Sequence, residues 1–324
     1  MSRVLITGAG GFIGTALLEQ LRRTGQHQFT LIDQQFTSAT PLPDQRQLTG
    51  SFGDPALLEQ AFQNPIDIAF HLASIPGSAA EANPVLGTQV NLLDTQSLFQ
   101  RLALNRAESD APVRVVFAST IAVYGAIAQE PCTEDLAPMP TISYGAHKLM
   151  NEIFLADLTR RVQLDGRSVR LPGIVARPIA PLNAPSKAPH NAPSGFGSAF
   201  MSDLIRYLAS GTPYTCPVSK EATAWWMSRP CCVDNLIHAA ALKPQGLPAS
   251  RVWQLPVLYA SIEQIVQTLA DRYGADRAKL IDYQPNQKIQ ALFGALPPLA
   301  TPRALAHGFR HDGHLDTLIL KSLQ

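Results

Sequence analysis

Val4-Leu5-Ile6-Thr7-Gly8-Ala9-Gly10-Gly11-Phe12-Ile13-Gly14 is the stretch whose reading decides the fold. Residues 3–7 form a short apolar, β-branched run, the composition of a parallel strand buried on both faces. Glycines follow at once, and from residue 12 to 21 apolar side chains recur at helical spacing. Strand, glycine turn and helix together are the setting that lifts a glycine motif above chance. In that setting Gly8 permits the tight turn, Gly11 lets a pyrophosphate come close to the backbone, and Gly14 packs helix on sheet. The N–H groups at the helix start, about Phe12 and Ile13, then face the phosphates. A second apolar run, Phe29-Thr30-Leu31-Ile32, ends in Asp33. A carboxylate at that point accepts hydrogen bonds from the adenosine ribose hydroxyls and repels a 2′-phosphate. Gln34 and Gln35 follow, with no arginine nearby to welcome that phosphate, so the pattern selects NAD over NADP.

Moving outward, residues 67–72 and 113–118 read as strands, 85–104 and 143–162 as helices, and 168–175 as a further strand. Strands separated by helices predict an α/β fold, a Rossmann-type doubly wound parallel sheet. Ligands in such sheets sit beyond the carboxyl ends of the strands, where Gly8, Asp33, Ser74 and Thr120 all fall. The pattern changes at Arg177-Pro178. Residues 178–196 are crowded with proline, alanine, serine and asparagine, which excludes a helix or central strand and leaves a surface loop or a substrate lid. Helical periodicity returns over 198–209, 233–242, 262–273 and 314–322. The expected division is therefore a dinucleotide-binding domain over 1–177 and a smaller, substrate-binding α/β region over 178–324, the two interleaved rather than independent.

At 324 residues, the chain can bury a sizeable core, and its 26 basic and 25 acidic side chains nearly cancel. No basic run marks a nucleic-acid footprint and no stretch has the apolar length of a membrane span. The first residues run straight into a strand, which predicts no signal peptide. Cys132, Cys216, Cys231 and Cys232 have neither zinc spacing nor a disulfide framework, which predicts thiols in a reducing, cytoplasmic compartment. His71 and His238 have no second ligand at useful spacing, so no metal is expected.

Tyr144-Gly145-Ala146-His147-Lys148 carries the chemistry. Residues four apart on a helix share one face. A free tyrosine titrates at about 10, and a lysine charge beside it stabilises the phenolate and brings that value toward working pH. Tyr144 can then take the proton from a substrate hydroxyl, with Lys148 also holding the nicotinamide ribose and Thr120, at the end of the preceding strand, orienting the reacting oxygen. On a helix surface alone this pair is ordinary; after a glycine cradle and Ser119-Thr120 it marks a redox site.

In that order the motifs resemble the extended short-chain dehydrogenase/reductases, in the NAD-dependent epimerase/dehydratase family, over about residues 3–245. The resemblance implies that residues 7–14 form the cradle and Asp33 the ribose acid. It implies further that Leu72, Ala73 and Ser74 run along the cofactor, that Asn91 is a structural asparagine beside it, and that Ser51 and Phe52 flank the adenine. Pro172 to Ile174 would meet the nicotinamide end. Within the family, residues 143–148, 164–172, 175–178 and 235–240 resemble the sugar-acid dehydrogenases. That implies NAD-dependent oxidation of the 2-hydroxyl of a short, D-erythronate-like acid, and a homodimer joined through the helix of Tyr144. Ser74, Ser78, Thr120, Tyr144 and Arg177 are then the candidates for holding the substrate, with Trp225 or Trp226 as an apolar wall. Two departures concern the cofactor side: Ser51 stands where the family carries aspartate, and Asp94 where it carries glycine. The alternative is a nucleotide-sugar 4-epimerase, which shares the cradle, tyrosine and lysine; a dehydratase is disfavoured because Ile121 and Ala122, not an acidic pair, follow Thr120. A dinucleotide sensor without turnover would have no need for both Tyr144 and Lys148.

Overall fold

The computed structural model describes residues 1–36, 42–105, 111–127, 132–177 and 198–324. The proline-rich stretch at 178–196 lies outside the described residues. The chain divides into two compact units that alternate along the sequence. The first comprises Met1–Tyr124, Pro138–Leu171 and Val233–Gln254; the second comprises Gly125–Ala137, Pro172–Cys232 and Leu255–Gln324.

In the first unit the opening motif folds as its pattern dictates. Strand β1 (Ser2–Thr7) runs through Gly8 to Gly11 into helix α1 (Phe12–Thr24), and β2 (His27–Asp33) follows. Then come β3 (Gln45–Thr49), β4 (Ile68–His71) and β5 (Val113–Thr120). With strands Leu164–Leu171 and Val252–Gln254 they make one seven-stranded sheet, ordered β3, β2, β1, β4, β5 and then those two. Every neighbouring pair is parallel. The order reverses between β1 and β4, where Thr7 pairs with Ile32 on one side and His71 on the other. Such a reversal opens a crevice at the carboxyl ends of the strands, and here it opens beside Gly8. Beneath it, Leu5, Ile32, Val115 and Phe117 of the sheet pack with Leu57, Leu98, Phe99 and Leu155 of the flanking helices. His71 stacks on Phe117 and meets Phe52 and Phe99 edge-on, so the floor under the crevice is aromatic.

The sequence reading differs from the structure at particular elements. The helix expected over 85–104 is three pieces: Pro84–Thr88, a π-helical segment Gln89–Asp94, and Thr95–Leu104. Apolar spacing does not register one inserted residue per turn, whereas the Thr95 hydroxyl records it by donating to the Val90 carbonyl five residues back at 3.2 Å. The helix expected over 143–162 ends at Arg160, because Val162 takes a φ of 57°. The strand expected over 168–175 is two strands, Leu164–Leu171 and Gly173–Val175, separated at Pro172, which has no N–H for a ladder. Edge strand β3 has a polar sequence, Gln45-Arg46-Gln47-Leu48-Thr49, and so carries no apolar run to announce it.

The second unit is built round Thr223–Ser228, which pairs parallel with Gly173–Val175 and antiparallel with Leu258–Ser261. Helices Ala199–Ser210 and Ile262–Tyr273 contribute Phe200, Leu204, Ile265 and Leu269 to its core. The second of these starts with a capping box between Ser261 and Gln264. Trp225 and Trp226 are both 0% exposed, and their indole N–H groups donate to the Pro297 and Ala260 carbonyls. They are core residues, which corrects their reading as a substrate wall: a strand covered on both faces buries consecutive side chains.

Candidate active site

The site builds from the switch point upward. Gly8 has φ 75°, and a Cβ there would stand 2.7 Å from the Ala73 backbone nitrogen. A side chain at Gly14 would overlap the Gly8 carbonyl, and one at Gly10 the Gln35 carbonyl. Gly11 is exposed, and a Cβ there meets nothing closer than the Gly8 carbonyl at 3.2 Å. Helix α1 follows its N-cap Gly11 with no side-chain cap, and half-buried Phe12 and Ile13 form its first turn at the crevice. Asp33 is half-buried at the end of β2 and accepts the Gly10 N–H at 2.9 Å and the Gln35 N–H at 3.3 Å. An uncapped helix start, an open Gly11 and a carboxylate on the next strand fit a dinucleotide's pyrophosphate and ribose.

The other cofactor candidates divide by what their side chains do. Ser51 accepts the Gly53 N–H at 3.1 Å, while Phe52 is 5% exposed with its ring in the core. Leu72, Ala73 and Ser74 are half-buried just past β4. Asn91 turns both ends of its amide to one residue, accepting the Ile75 N–H at 2.7 Å and donating to the Ile75 carbonyl at 2.9 Å. It therefore fixes the chain that follows Ser74. Asn151 ties Asn91 down in turn, donating to its carbonyl at 2.6 Å.

Tyr144 and Lys148 share one face of the helix Ser143–Arg160, as their spacing requires. Glu81 starts that helix by accepting the Ser143 N–H at 2.6 Å, and a side chain at Gly145 would overlap the Ala122 carbonyl, so the helix lies close on the end of β5. The Lys148 ammonium donates to the Ala118 carbonyl at 2.8 Å. It lies 4.6 Å from the Phe117 ring centre and 5.7 Å from that of Tyr144. Burial pulls its pKa down to about 7, against the pull of Glu152. Thr120, two residues beyond Ala118, accepts the Ala122 N–H at 3.1 Å and has no acceptor for its own proton among the described residues. Its hydroxyl is thus set to donate. Ser78, half-buried in the helix Gly77–Ala82, follows Gly77, where a Cβ would sit 3.5 Å from that of Tyr144.

Behind these groups lies a buried network the sequence reading did not foresee. Glu152 accepts from the Ser119 hydroxyl and from the Arg170 guanidinium at 2.7 Å and 3.0 Å, and Arg170 donates to the Tyr124 hydroxyl at 3.0 Å. Burial works against the Arg170 charge, but Glu152 outweighs it and raises the pKa. The one signal available was Glu152 at four residues past Lys148, the next position on the same helix face. His71, beneath the crevice, is bonded by Thr7 at 2.7 Å and Thr95 at 3.0 Å, and burial with the Lys148 charge holds its pKa well below the usual imidazole range. Pro172, Ile174 and Arg177 belong to the second unit. The first two are buried there, and Arg177 is exposed, its carbonyl accepting from Arg206.

Residues 4–221 match the NAD dependent epimerase/dehydratase family. The chain is 32% identical to D-erythronate dehydrogenase of Cupriavidus necator, with 98% of this chain and 96% of that one covered. It is 29% identical to D-erythronate dehydrogenase of Haemophilus influenzae, with 99% of each covered. Among solved structures it is similar to a nucleoside-diphosphate-sugar epimerase from Agrobacterium tumefaciens, with TM-score 0.86 and 28% identity over 98% of this chain and 92% of that one.

Proposed function

The chain belongs to the NAD dependent epimerase/dehydratase family, and we propose that within it the protein is a dehydrogenase that oxidises the 2-hydroxyl of a short sugar acid, D-erythronate or a close relative, to the 2-oxo acid. The observation that carries this is that Tyr144 and Lys148 share one helix face, and that the Lys148 ammonium donates to the Ala118 carbonyl, two residues before Thr120 at the end of β5. Gly8, Gly11, Phe12, Ile13 and Gly14 hold the pyrophosphate and Asp33 the adenosine ribose, with Ser51 and Phe52 at the adenine. Leu72, Ala73 and Ser74, steadied by Asn91, run alongside, and Lys148 holds the nicotinamide ribose. Bound NAD supplies the acceptor for the hydride that leaves C2 of the acid.

Tyr144 takes the proton of the 2-hydroxyl, and the carbon–oxygen bond becomes a carbonyl as hydride departs. Lys148 favours the phenolate that does this, since its ammonium lies against the Tyr144 ring in a site where burial strengthens charge–charge interaction. Thr120 donates its free proton to the reacting oxygen and keeps C2 facing the cofactor. Ser74 and Ser78 donate to the acid's carboxylate and exchange hydrogen bonds with its remaining hydroxyls.

The second reading is a nucleotide-sugar 4-epimerase, favoured by the likeness to the Agrobacterium structure. The two are separated by supplying purified protein with NAD and either four- to six-carbon aldonic acids or UDP-sugars. A dehydrogenase accumulates NADH and a 2-oxo acid from the former; an epimerase interconverts the latter with no net NADH. Four buried free cysteines suit a reducing compartment, which supports a cytoplasmic site of action. Among the described residues no helix is long and apolar enough to cross a membrane. The remaining partner is a second copy of the chain: Leu93, Met150 and Ile153 are exposed on segments that pack on one another, an apolar face that a homodimer would cover.

A further inference from the structure

The adenine end of the crevice contains a carboxylate that comes from an unexpected element. Asp33 fixes the ribose at the end of β2, and β3 is the next strand outward, with Asp33 in register with Thr49 and the Gly50 N–H donating to the Asp33 carbonyl at 2.9 Å. The base attached to that ribose therefore lies against the loop after β3, residues 50–54. Adenine presents a 6-amino group there, a donor of two hydrogen bonds that needs an acceptor. The loop's one carboxylate, Asp54, is exposed to solvent and turned to the next helix. Ser51 takes the Gly53 N–H, Phe52 is buried in the core, and Asp54 caps the helix Pro55–Ala61 by accepting the Ala56 N–H at 2.9 Å.

Asp94 reaches this loop from the π-helical segment Gln89–Asp94. A Cβ on Gly53 would overlap its Cγ and Oδ2 and lie 2.7 Å from its Oδ1, so the loop is glycine at this point because the carboxylate occupies the space. Gln89 holds Oδ1 at 2.6 Å. Oδ2 has no hydrogen-bond partner among the described residues, although the residue is only 9% exposed. That oxygen is not among the fully buried unpaired atoms, so it stays within reach of a ligand's donor. The π turn explains its direction, since one extra residue per turn rotates the last side chain of the segment away from the ordinary helical register.

We propose that Asp94 is the residue that selects adenine, its Oδ2 accepting a hydrogen bond from the 6-amino group of the bound dinucleotide. The assignment rests on the NAD reading above. It also accounts jointly for two departures from the family pattern, since the carboxylate absent at Ser51 is supplied from Asp94, across the loop at Gly53.

The test compares binding of NAD with binding of nicotinamide hypoxanthine dinucleotide, which carries a 6-oxo group instead, by calorimetry without any substrate. The wild type binds NAD tighter by about tenfold, the scale of one hydrogen bond to a charged group. Asp94→Asn keeps the Gln89 contact but presents an amide N–H, so the preference disappears or inverts towards the 6-oxo base. Glu59→Gln, exposed on the helix Pro55–Ala61, removes a nearby carboxylate and keeps the wild-type ratio. A wild-type ratio near one overturns the assignment before any variant is made. So does an unchanged ratio in Asp94→Asn, or a ratio lost equally in Glu59→Gln. A wild type that binds neither dinucleotide overturns the cofactor reading itself, and this assignment with it.

Discussion

The Lys148 ammonium lies near both the Phe117 and the Tyr144 rings, and burial draws its pKa from an ordinary 10.5 to about 7. The sign of the effect on stability follows from proton counts. Between those two values the unfolded chain holds a proton that the folded chain has released, so stability rises with pH across that window. Denaturant unfolding of the cofactor-free protein at intervals from pH 7 to pH 10 should show that rise, and Lys148→Met should remove its share. An equal slope in the variant would mean that Lys148 is not the group responsible. Tyr144, Lys148, Thr120, Gly8 and Asp33 were readable at this scale because each combines a residue type with a fixed offset. Glu152 and Asp94 were not, since a single acidic residue carries no offset of its own until the fold brings Ser119, Arg170 or Gly53 to it.

Elements are held to the site by buried polar ties. Glu152 joins the helix of Tyr144 to the end of β5 through Ser119 and to the strand Leu164–Leu171 through Arg170, with side-chain exposures of 2% and 9% for the ion pair. Breaking one member of such a pair leaves an uncompensated buried charge, at a cost of about 3–5 kcal/mol. Glu152→Leu should lower unfolding free energy by that order, whereas Glu152→Leu combined with Arg170→Met should recover much of it. A double variant no more stable than the single would argue against charge pairing as the source. In the first unit β1, α1, β2, β4, β5 and the helix of Tyr144 were readable from apolar runs. What escaped was local: the π-helical insertion at Gln89–Asp94, the break at Pro172, and polar edge strand β3, all of which preserve or lack the periodicity on which the reading depends.

For the whole molecule, the first unit's class followed from one short motif, because strand, glycine turn and helix leave few topologies open once crossovers are right-handed. The second unit had no such motif. Its strands are short, such as Tyr214–Cys216 and Ile281–Tyr283, and pair across long sequence gaps that no local pattern records. Its two tryptophans looked like a ligand wall for the same reason: a short strand covered on both faces has no alternation to separate inside from outside. Association belongs to this scale too. Ile153 is 63% exposed and lies three residues from exposed Met150 on the helix of Tyr144. A charge placed there should not disturb the monomer's core but should split a homodimer, so Ile153→Glu is expected to elute at half the wild-type mass in light scattering. A wild type already at the mass of one chain would contradict the dimer.

In the proposed reaction Tyr144 removes a proton from a sugar-acid hydroxyl while NAD is reduced. NADH formation from D-erythronate should be followed for the wild type and for Tyr144→Phe, with NAD affinity measured for both. Turnover in the wild type that falls by about 10²–10⁴ in the variant, at unchanged NAD affinity, is the predicted result. Equal turnover in the two proteins, or none from any four- to six-carbon aldonic acid with NAD bound, would contradict it.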